Sequence, residues 1–417
     1  MEKGMEQIVE KLDNINRYFE NNSGCKYKTM VHRIYVDNSA STQVSKLALE
    51  AMTPCFTENY GNPSAIHSFG QEAKKVLEQS RVITANSIGA KSTEIFFTSG
   101  GTESVNWAIH SACQQKSGKG THIVSTEIEH NAVLKTLEKL QNQGFEVTLL
   151  KPDKHGQISP EQLDSAIRKD TVLVSIMMAN NVIGAVLRIK ELCAVAHKSR
   201  VLFHTDAVQA VGHIPVNVRD LGIDLLSLSA HKFHGPKGIG VLFSKIPRIP
   251  SAYITGGGQE RGVRSGTENV PNIAGMAAAL QESVNNLSAD MAYKVKLRDR
   301  LIEQTLQIPG TYLTGDPQNR LPGHASFVFD GIGHSVYLIN MLNDAGICAS
   351  SGSACSAASK ESSHVLNAVG IEEGMAISSL RISLSVYNTE KEIDIINAKL
   401  PEFIGLLRQS SPMRIFS

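Results

Sequence analysis

Ile223-Asp224-Leu225-Leu226-Ser227-Leu228 runs directly into Ser229-Ala230-His231-Lys232, and the reading of this stretch decides the fold. A short apolar run closed by small and basic residues reads as a buried strand followed by a turn. A lysine just past such a strand stands where open α/β sheets meet their ligands. Two other runs end in the same manner: Val201 to Phe203 leads to Asp206 and Gln209, and Ile95 to Phe97 leads to Gly100-Gly101-Thr102-Glu103. Three strand ends therefore converge on one expected site.

Working outward, short β-rich runs alternate with helical segments from about residue 95 to 243. His122 to Ser125, Val147 to Leu150, Val172 to Met177 and Gly240 to Phe243 complete the expected strands. Glu103 to Ser111, His130 to Gln143, Ser159 to Arg168 and Ile189 to Ser199 are the expected helices. Ser159-Pro160-Glu161-Gln162 carries a capping serine and a proline at the first helical position. Such alternation predicts an α/β fold with a mostly parallel sheet in a large domain at 34–266, of which 34–48 can pack with the smaller domain. Beyond the Gly- and Arg-rich stretch Gly256 to Thr267, long helices and short strands predict that smaller α+β domain at 267–417. Residues 1–33 form an expected appendage, an amphipathic helix on Met5, Ile8, Leu12, Ile15 and Phe19.

Composition excludes several function classes. With 41 basic and 40 acidic residues in 417, the formal charge is +1, which gives no electrostatic case for nucleic acid or an anionic membrane. No apolar run is long enough to span a bilayer, and the N-terminus lacks a secretory signal core. Six scattered cysteines without a CxxC pair fit reduced thiols in a cytoplasmic protein, and neither a zinc site nor any other metal site is expected. A GxGxxG dinucleotide fingerprint is also missing from the start of the fold.

The strand-end residues suit pyridoxal phosphate. That cofactor needs an amine to bond its aldehyde, an acid on its pyridine nitrogen, a group to stack on the ring and a phosphate cradle. Lys232 supplies the amine, with Lys237 in the turn Gly235-Pro236-Lys237-Gly238 as the rival expected to face solvent. Asp206 is placed to keep the ring nitrogen protonated, and Gln209 to donate to the ring's phenolic oxygen. Gly101 and Thr102 open a helix whose N–H groups would hold a phosphate, with Ser229 and His231 completing the contacts. His130, heading the next helix, is the candidate for stacking.

Together these residues resemble the cysteine desulfurases, pyridoxal phosphate enzymes of the class V aminotransferase superfamily. The likeness extends from Ile34 to about Met413 through Tyr35 to Thr42, Gly61-Asn62-Pro63-Ser64, Glu129-His130, Asn180-Asn181 and Arg264-Ser265-Gly266-Thr267. It implies the type I fold of pyridoxal phosphate transferases. Ser350-Ser351-Gly352-Ser353-Ala354-Cys355-Ser356 looks like the mobile loop bearing the nucleophilic cysteine in the family's first group, the nitrogen-fixation and iron–sulfur-cluster type. The resemblance further implies that Arg381 grips the L-cysteine carboxylate, that Asn181 helps to fix that carboxylate or the ring oxygen, and that Thr267 reaches the phosphate of a second subunit in a homodimer; the Cys355 thiol needs a proton acceptor or a positive neighbour, for which His130 is the available candidate. Sulfur would pass from L-cysteine to Cys355, leaving alanine, and then to an iron–sulfur scaffold or a tRNA-thiolation protein.

Three positions depart from the commonest family pattern: Val182 replaces an acid, Gln259 a histidine and Asn38 a tyrosine. They leave open a related selenocysteine lyase or another lyase or aminotransferase of the same superfamily. A reading of a different class, an inactive cofactor-binding interaction protein, is disfavoured by the intact Lys232, Asp206, Cys355 and Arg381. Cys25, Cys55, Cys113, Cys193 and Cys348 are expected to be structural, Cys348 standing near enough to the loop to exchange a persulfide.

Overall fold

The computed structural model describes residues 33–115, 118–245, 252–352 and 363–410. The appendage expected at 1–33 lies outside the described residues except for Arg33, and so does Cys355. After β1 (Ile34–Tyr35), seven strands form the central sheet: β2 (Ile95–Thr98), β3 (His122–Thr126), β4 (Glu146–Leu150), β5 (Thr171–Ser175), β6 (Leu202–Asp206), β7 (Leu225–Ser229) and β8 (Gly240–Ser244). Their spatial order is β2-β8-β7-β6-β5-β3-β4. β8 alone runs against its neighbours; every other pairing in the sheet is parallel.

The continuous apolar runs have a physical explanation in this topology. Helices cover both sides of a parallel sheet, so interior strands bury both faces and lose the polar alternation. β3, β5, β7 and β8 are buried at every residue, whereas the edge strand β4 is buried only at Leu150. One core cluster, with Val174, Phe203, Leu226 and Phe243, and a second, with Trp107, Ile123, Leu173 and Leu242, occupy the packed layers. Helix starts follow the expected chemistry: Ser159 Oγ accepts from Gln162 N at the head of Pro160–Ala166.

A helix of 20 residues, Ser68–Ser87, carries no clear apolar stripe in the sequence. Its buried face is built from Gly70, Ala73, Ser80, Arg81, Thr84 and Ala85 besides Leu77. Small residues there let the helix Val270–Asn285 approach closely, and Arg81 is neutralised in the interior by a two-pronged pair with Glu260.

A second sheet, β12 (Leu380–Ser383), β10 (His324–Phe329) and β9 (Thr311–Leu313), is antiparallel. It packs with the helices Leu287–Thr305 and Glu390–Ser410 through Leu297, Leu301, Phe327, Ile382, Ile396 and Leu400. β1 pairs in parallel with β11 (Ile347–Cys348), so the chain's first described strand joins the neighbourhood of the last third. Asp37 then bridges to Ser383, and the following turn, Asn38 to Ala40, is led toward the ends of β6 and β7. No described helix is long and apolar enough to cross a membrane.

Candidate active site

A cavity of about 340 Å³ opens where the strands of the large sheet meet the second sheet. Gly101, Thr102, His130, Asn181, Asp206, Gln209, Ser229, His231, Lys232 and Arg381 all line it. Ten of the twelve expected site residues are thereby brought together. Thr267 is exposed and is not among the lining residues, and Cys355 lies outside the described residues.

Lys232 ends a 3₁₀ turn, Ala230–Lys232, directly after β7. Its Nζ donates to the Ser39 carbonyl at 2.6 Å and to the Ala40 carbonyl at 2.9 Å. Gln209 Nε2 donates to the same Ser39 carbonyl at 2.9 Å. Ser39 and Ala40 thus hold both donors through backbone atoms, which no side-chain motif could have announced. Asp206 ends β6 and is buried, with Oδ1 accepting from Val208 N at 3.0 Å. Burial pushes its carboxyl up, opposed by the nearby His130 and Lys232 charges. A protonated ring nitrogen beside it would supply the missing counter-charge.

His130 is the N-cap of Asn131–Gln141: its Nδ1 accepts from Ala132 N at 3.1 Å. A backbone N–H can only donate, so the neutral ring carries its proton on Nε2. The ring therefore presents a donor to the site, and taking a proton from Cys355 would require Nδ1 to give up the cap or Nε2 to lose its own proton first. Next to it Glu129 was overlooked in the sequence. Its Oε1 accepts from Thr126 Oγ1 at 2.7 Å and Met177 N at 2.9 Å, tying the ends of β3 and β5 together. Burial pushes its carboxyl up to about 8, and Oε2 has no partner.

On the other wall, Arg381 is 1% exposed. Nη2 pairs with Asp37 Oδ1 at 2.8 Å and Nη1 donates to the Asn181 carbonyl at 2.9 Å, while buried Nε has no partner among the described residues. Asn181 acts here through its backbone; the neighbouring Asn180 side chain folds the turn by accepting from Val182 N and Ile183 N. The Arg381 backbone exchanges hydrogen bonds with Ser350, and Nη1 also reaches the Gly352 carbonyl at 3.4 Å. His364, on the far side of the segment that contains Cys355, donates Nε2 to the Glu129 carbonyl at 3.0 Å and lines the cavity.

A more open recess of about 430 Å³ adjoins, lined by Gly100 to Glu103, Ser229, His231 and exposed Lys237. Gly100 sits at φ +152°, and a Cβ on Gly101 would come within 2.8 Å of Val208 Cγ2, so the turn depends on both glycines. Burial, with the Lys232 and Lys237 charges, pushes His231 down to about 4, making it a neutral hydrogen-bonding group. Glu103 is committed elsewhere, to Ser99 N and Arg264.

These residues fit pyridoxal phosphate. The glycine turn at a helix N-terminus suits the phosphate, Asp206 the ring nitrogen and Lys232 the aldehyde, and the orphaned Arg381 Nε awaits an acceptor. Among the described residues no cluster of His, Cys, Asp or Glu could hold a metal ion. Cys55, Cys113 and Cys193 are buried, and burial pushes the Cys113 thiol up to about 12, so these are not nucleophiles.

Comparison with known proteins agrees with the fold. The sequence matches the family described as Aminotransferase class-V over residues 34–396. The chain belongs to that family, and its fold is the type I fold of pyridoxal phosphate enzymes. A Methanosarcina thermophila protein named cysteine desulfurase IscS is 47% identical over 381 residues, spanning 91% of this chain and 94% of its own. A Trichormus variabilis protein named cysteine desulfurase 2 is 44% identical over 91% of this chain and 95% of its own. Among solved structures, a NifS-like protein superposes with a TM-score of 0.84 at 38% identity, covering 90% of this chain and all of that one. A structure described as SspA in complex with cysteine gives 0.76 at 35% identity over 85% of this chain and all of that one.

Proposed function

We infer that the chain is a pyridoxal-phosphate-dependent cysteine desulfurase, converting L-cysteine to alanine and passing the sulfur on to acceptors. The observation that carries this reading is the meeting of Lys232, Asp206, His130 and Arg381 on one cavity. Pyridoxal phosphate, when bound, supplies an electron sink that weakens bonds at the substrate Cα and, through it, the C–S bond. Asp206 would hold the cofactor's ring nitrogen. Lys232 Nζ would hold the cofactor's aldehyde and could carry the substrate Cα proton. Arg381 receives the substrate carboxylate, with Nε as its uncommitted donor.

The Cys355 thiolate takes the substrate sulfur as a persulfide, and the atoms balance: cysteine plus thiol gives alanine plus persulfide. Gly352 and His364, on either side of its segment, both reach residues that line the cavity. His130, with its proton on Nε2, would stabilise the thiolate or leaving sulfur by donation. Incubating the enzyme with L-cysteine and mapping the added sulfur by peptide mass tests the assignment. The Cys355→Ala variant should keep the bound cofactor's colour and lose persulfide formation; sulfur release at the normal rate would sink it. Alanine yields from cysteine and selenocysteine, compared on one preparation, separate a selenocysteine lyase.

Three further readings belong here. A homodimer is supported by the apolar side chains left bare on consecutive elements: Leu49, Phe56, Tyr60, Phe69 and Ile66, the last 95% exposed. Thr267, exposed and outside the cavity of its own chain, would serve a second copy. A division into two units is supported by the separate core around the second sheet, and the packing of Val270–Asn285 on Lys46–Met52 and Ser68–Ser87 favours a boundary after that helix over one at 266/267. Cytoplasmic placement rests on the free cysteines among the described residues, and an iron–sulfur scaffold or a tRNA-thiolation protein as acceptor rests on the resemblance read from the sequence.

A further inference from the structure

Lys294 is 3% exposed on the helix Leu287–Thr305, where its burial has no evident use. Asp290, one turn earlier, and Glu282 on the preceding helix are the acids of this region, and neither forms an ion pair with it. Its hydrogen bond goes instead to His213 Nδ1, at 3.5 Å. Burying an ammonium this way costs free energy that a methionine of similar length would not. Burial pushes the Lys294 ammonium down to about 8; while charged it can only donate, so Nδ1 accepts and the ring proton sits on Nε2, as the Lys232 carbonyl also requires. That nitrogen donates to the Lys232 carbonyl at 2.8 Å.

The Lys232 carbonyl closes a 3₁₀ turn, at the end where helical carbonyls look outside the helix for donors. Two residues on, His234 adopts φ +66°, a left-handed backbone that a non-glycine residue keeps only when its surroundings impose it. Its N donates to Thr42 Oγ1 at 2.9 Å and its carbonyl accepts from Ser45 N at 2.8 Å. The peptide bearing Lys232 is thus pinned on its downstream side, and His213 pins the carbonyl of the lysine itself. Burial and the Lys294 charge push His213 down to about 3, in keeping with a ring that stays neutral.

We propose that Lys294 and His213 form a buried relay that positions Lys232: Lys294 donates to Nδ1, the Lys232 carbonyl accepts from Nε2, and the ring held between them fixes the lysine's carbonyl. Both are positioning residues, and the inference rests on Lys232 being the cofactor's anchor. That premise is tested separately, by trapping the cofactor on the holoenzyme with borohydride and locating it by peptide mass. Attachment elsewhere would end the premise without touching the relay's geometry.

The relay itself is tested with His213→Gln, which keeps an N–H donor, and His213→Leu, which does not. The leucine variant should lose about tenfold in kcat with KM for cysteine unchanged, and should shift the pH midpoint of the cofactor's visible band. The glutamine variant should recover most of that loss, one hydrogen bond being worth about a factor of ten. If the leucine variant fails to fold, Lys294→Met supplies the readout. Long-range ¹H–¹⁵N spectra of histidine-labelled holoenzyme should show His213 as a neutral Nε2–H ring in the parent, with its Nδ1 resonance shifted in the methionine variant, where the donor to Nδ1 is gone. Equal loss in both His213 variants, no loss in either, or an unchanged Nδ1 resonance in Lys294→Met would overturn the proposal.

Discussion

Lys232 and Arg381 face one cavity from two different sheets, and they are restrained by opposite chemistry. Lys232 Nζ rests on the neutral Ser39 and Ala40 carbonyls, whereas Arg381 is locked to the Asp37 carboxylate. A carbonyl accepts a hydrogen bond from an amine in either protonation state; a carboxylate favours the full cation. The first arrangement suits a group that must change its bonding, and the second a group that must stay charged. Both partners come from one short segment, Asp37 to Ala40, so the same turn reaches the proposed cofactor anchor and the proposed anion receptor.

The largest expected effect is on the lysine side. Lys232→Ala should abolish the lysine-dependent visible absorbance of bound cofactor and lower alanine formation by about 10⁴-fold or more, because anchor and proton carrier vanish together. Retained absorbance with the same spectrum would transfer the anchor to another amine, Lys237 being the one exposed at the adjoining recess.

His130 lines the same cavity and tests whether the ring or the cap matters. His130→Asn keeps an N-cap acceptor and removes the ring, so activity should fall by about 10²-fold with little change in thermal midpoint. His130→Ala should lose the same activity and about 1 kcal/mol of stability besides. If the asparagine variant is active, the ring does no chemistry and the residue is a cap.

On the arginine side the effect should fall on binding. Arg381→Lys preserves the charge against Asp37 but loses the planar fork. KM for L-cysteine should rise by about 10- to 100-fold, equivalent to one or two charge-assisted hydrogen bonds, with a smaller change in kcat. An unchanged KM would leave Arg381 as a structural partner of Asp37 and Ser350.

How far the sequence disclosed this site depends on the same contrast. Strand ends were legible because parallel strands buried on both faces leave unbroken apolar runs, and Asp206 and Lys232 come directly after two of them. Arg381 entered through resemblance alone, since an arginine on a strand announces no ligand, and its partner Asp37 is 344 residues away. Ser39 and Ala40 were hidden because they act through carbonyls that every residue possesses. The helix Ser68–Ser87 was hidden because glycine, alanine and hydroxyl residues, rather than large apolar ones, form its buried face. Glu129 was present in the Glu129-His130 pair, yet a buried acid next to a histidine gives no sign that one oxygen ties two strand ends while the other has no partner.

Glu129 provides the smallest and most specific test. Its carboxyl is pushed up from 4.5 to about 8 by burial, so the folded protein keeps the proton over a range in which the unfolded chain has lost it. Stability from this group is therefore fully present below about pH 4.5 and is lost as pH rises toward about 8, beyond which the loss levels off. Glu129→Gln keeps an oxygen for Thr126 and Met177 N and cannot ionise. Thermal midpoints of parent and variant should coincide at the acid end and separate progressively toward pH 8, the variant being the more stable there. Parallel curves over the whole range would mean that the acid ionises in the folded protein at its ordinary pH, and that the cavity wall beside His130 carries a charge that Lys232 and the cofactor must accommodate.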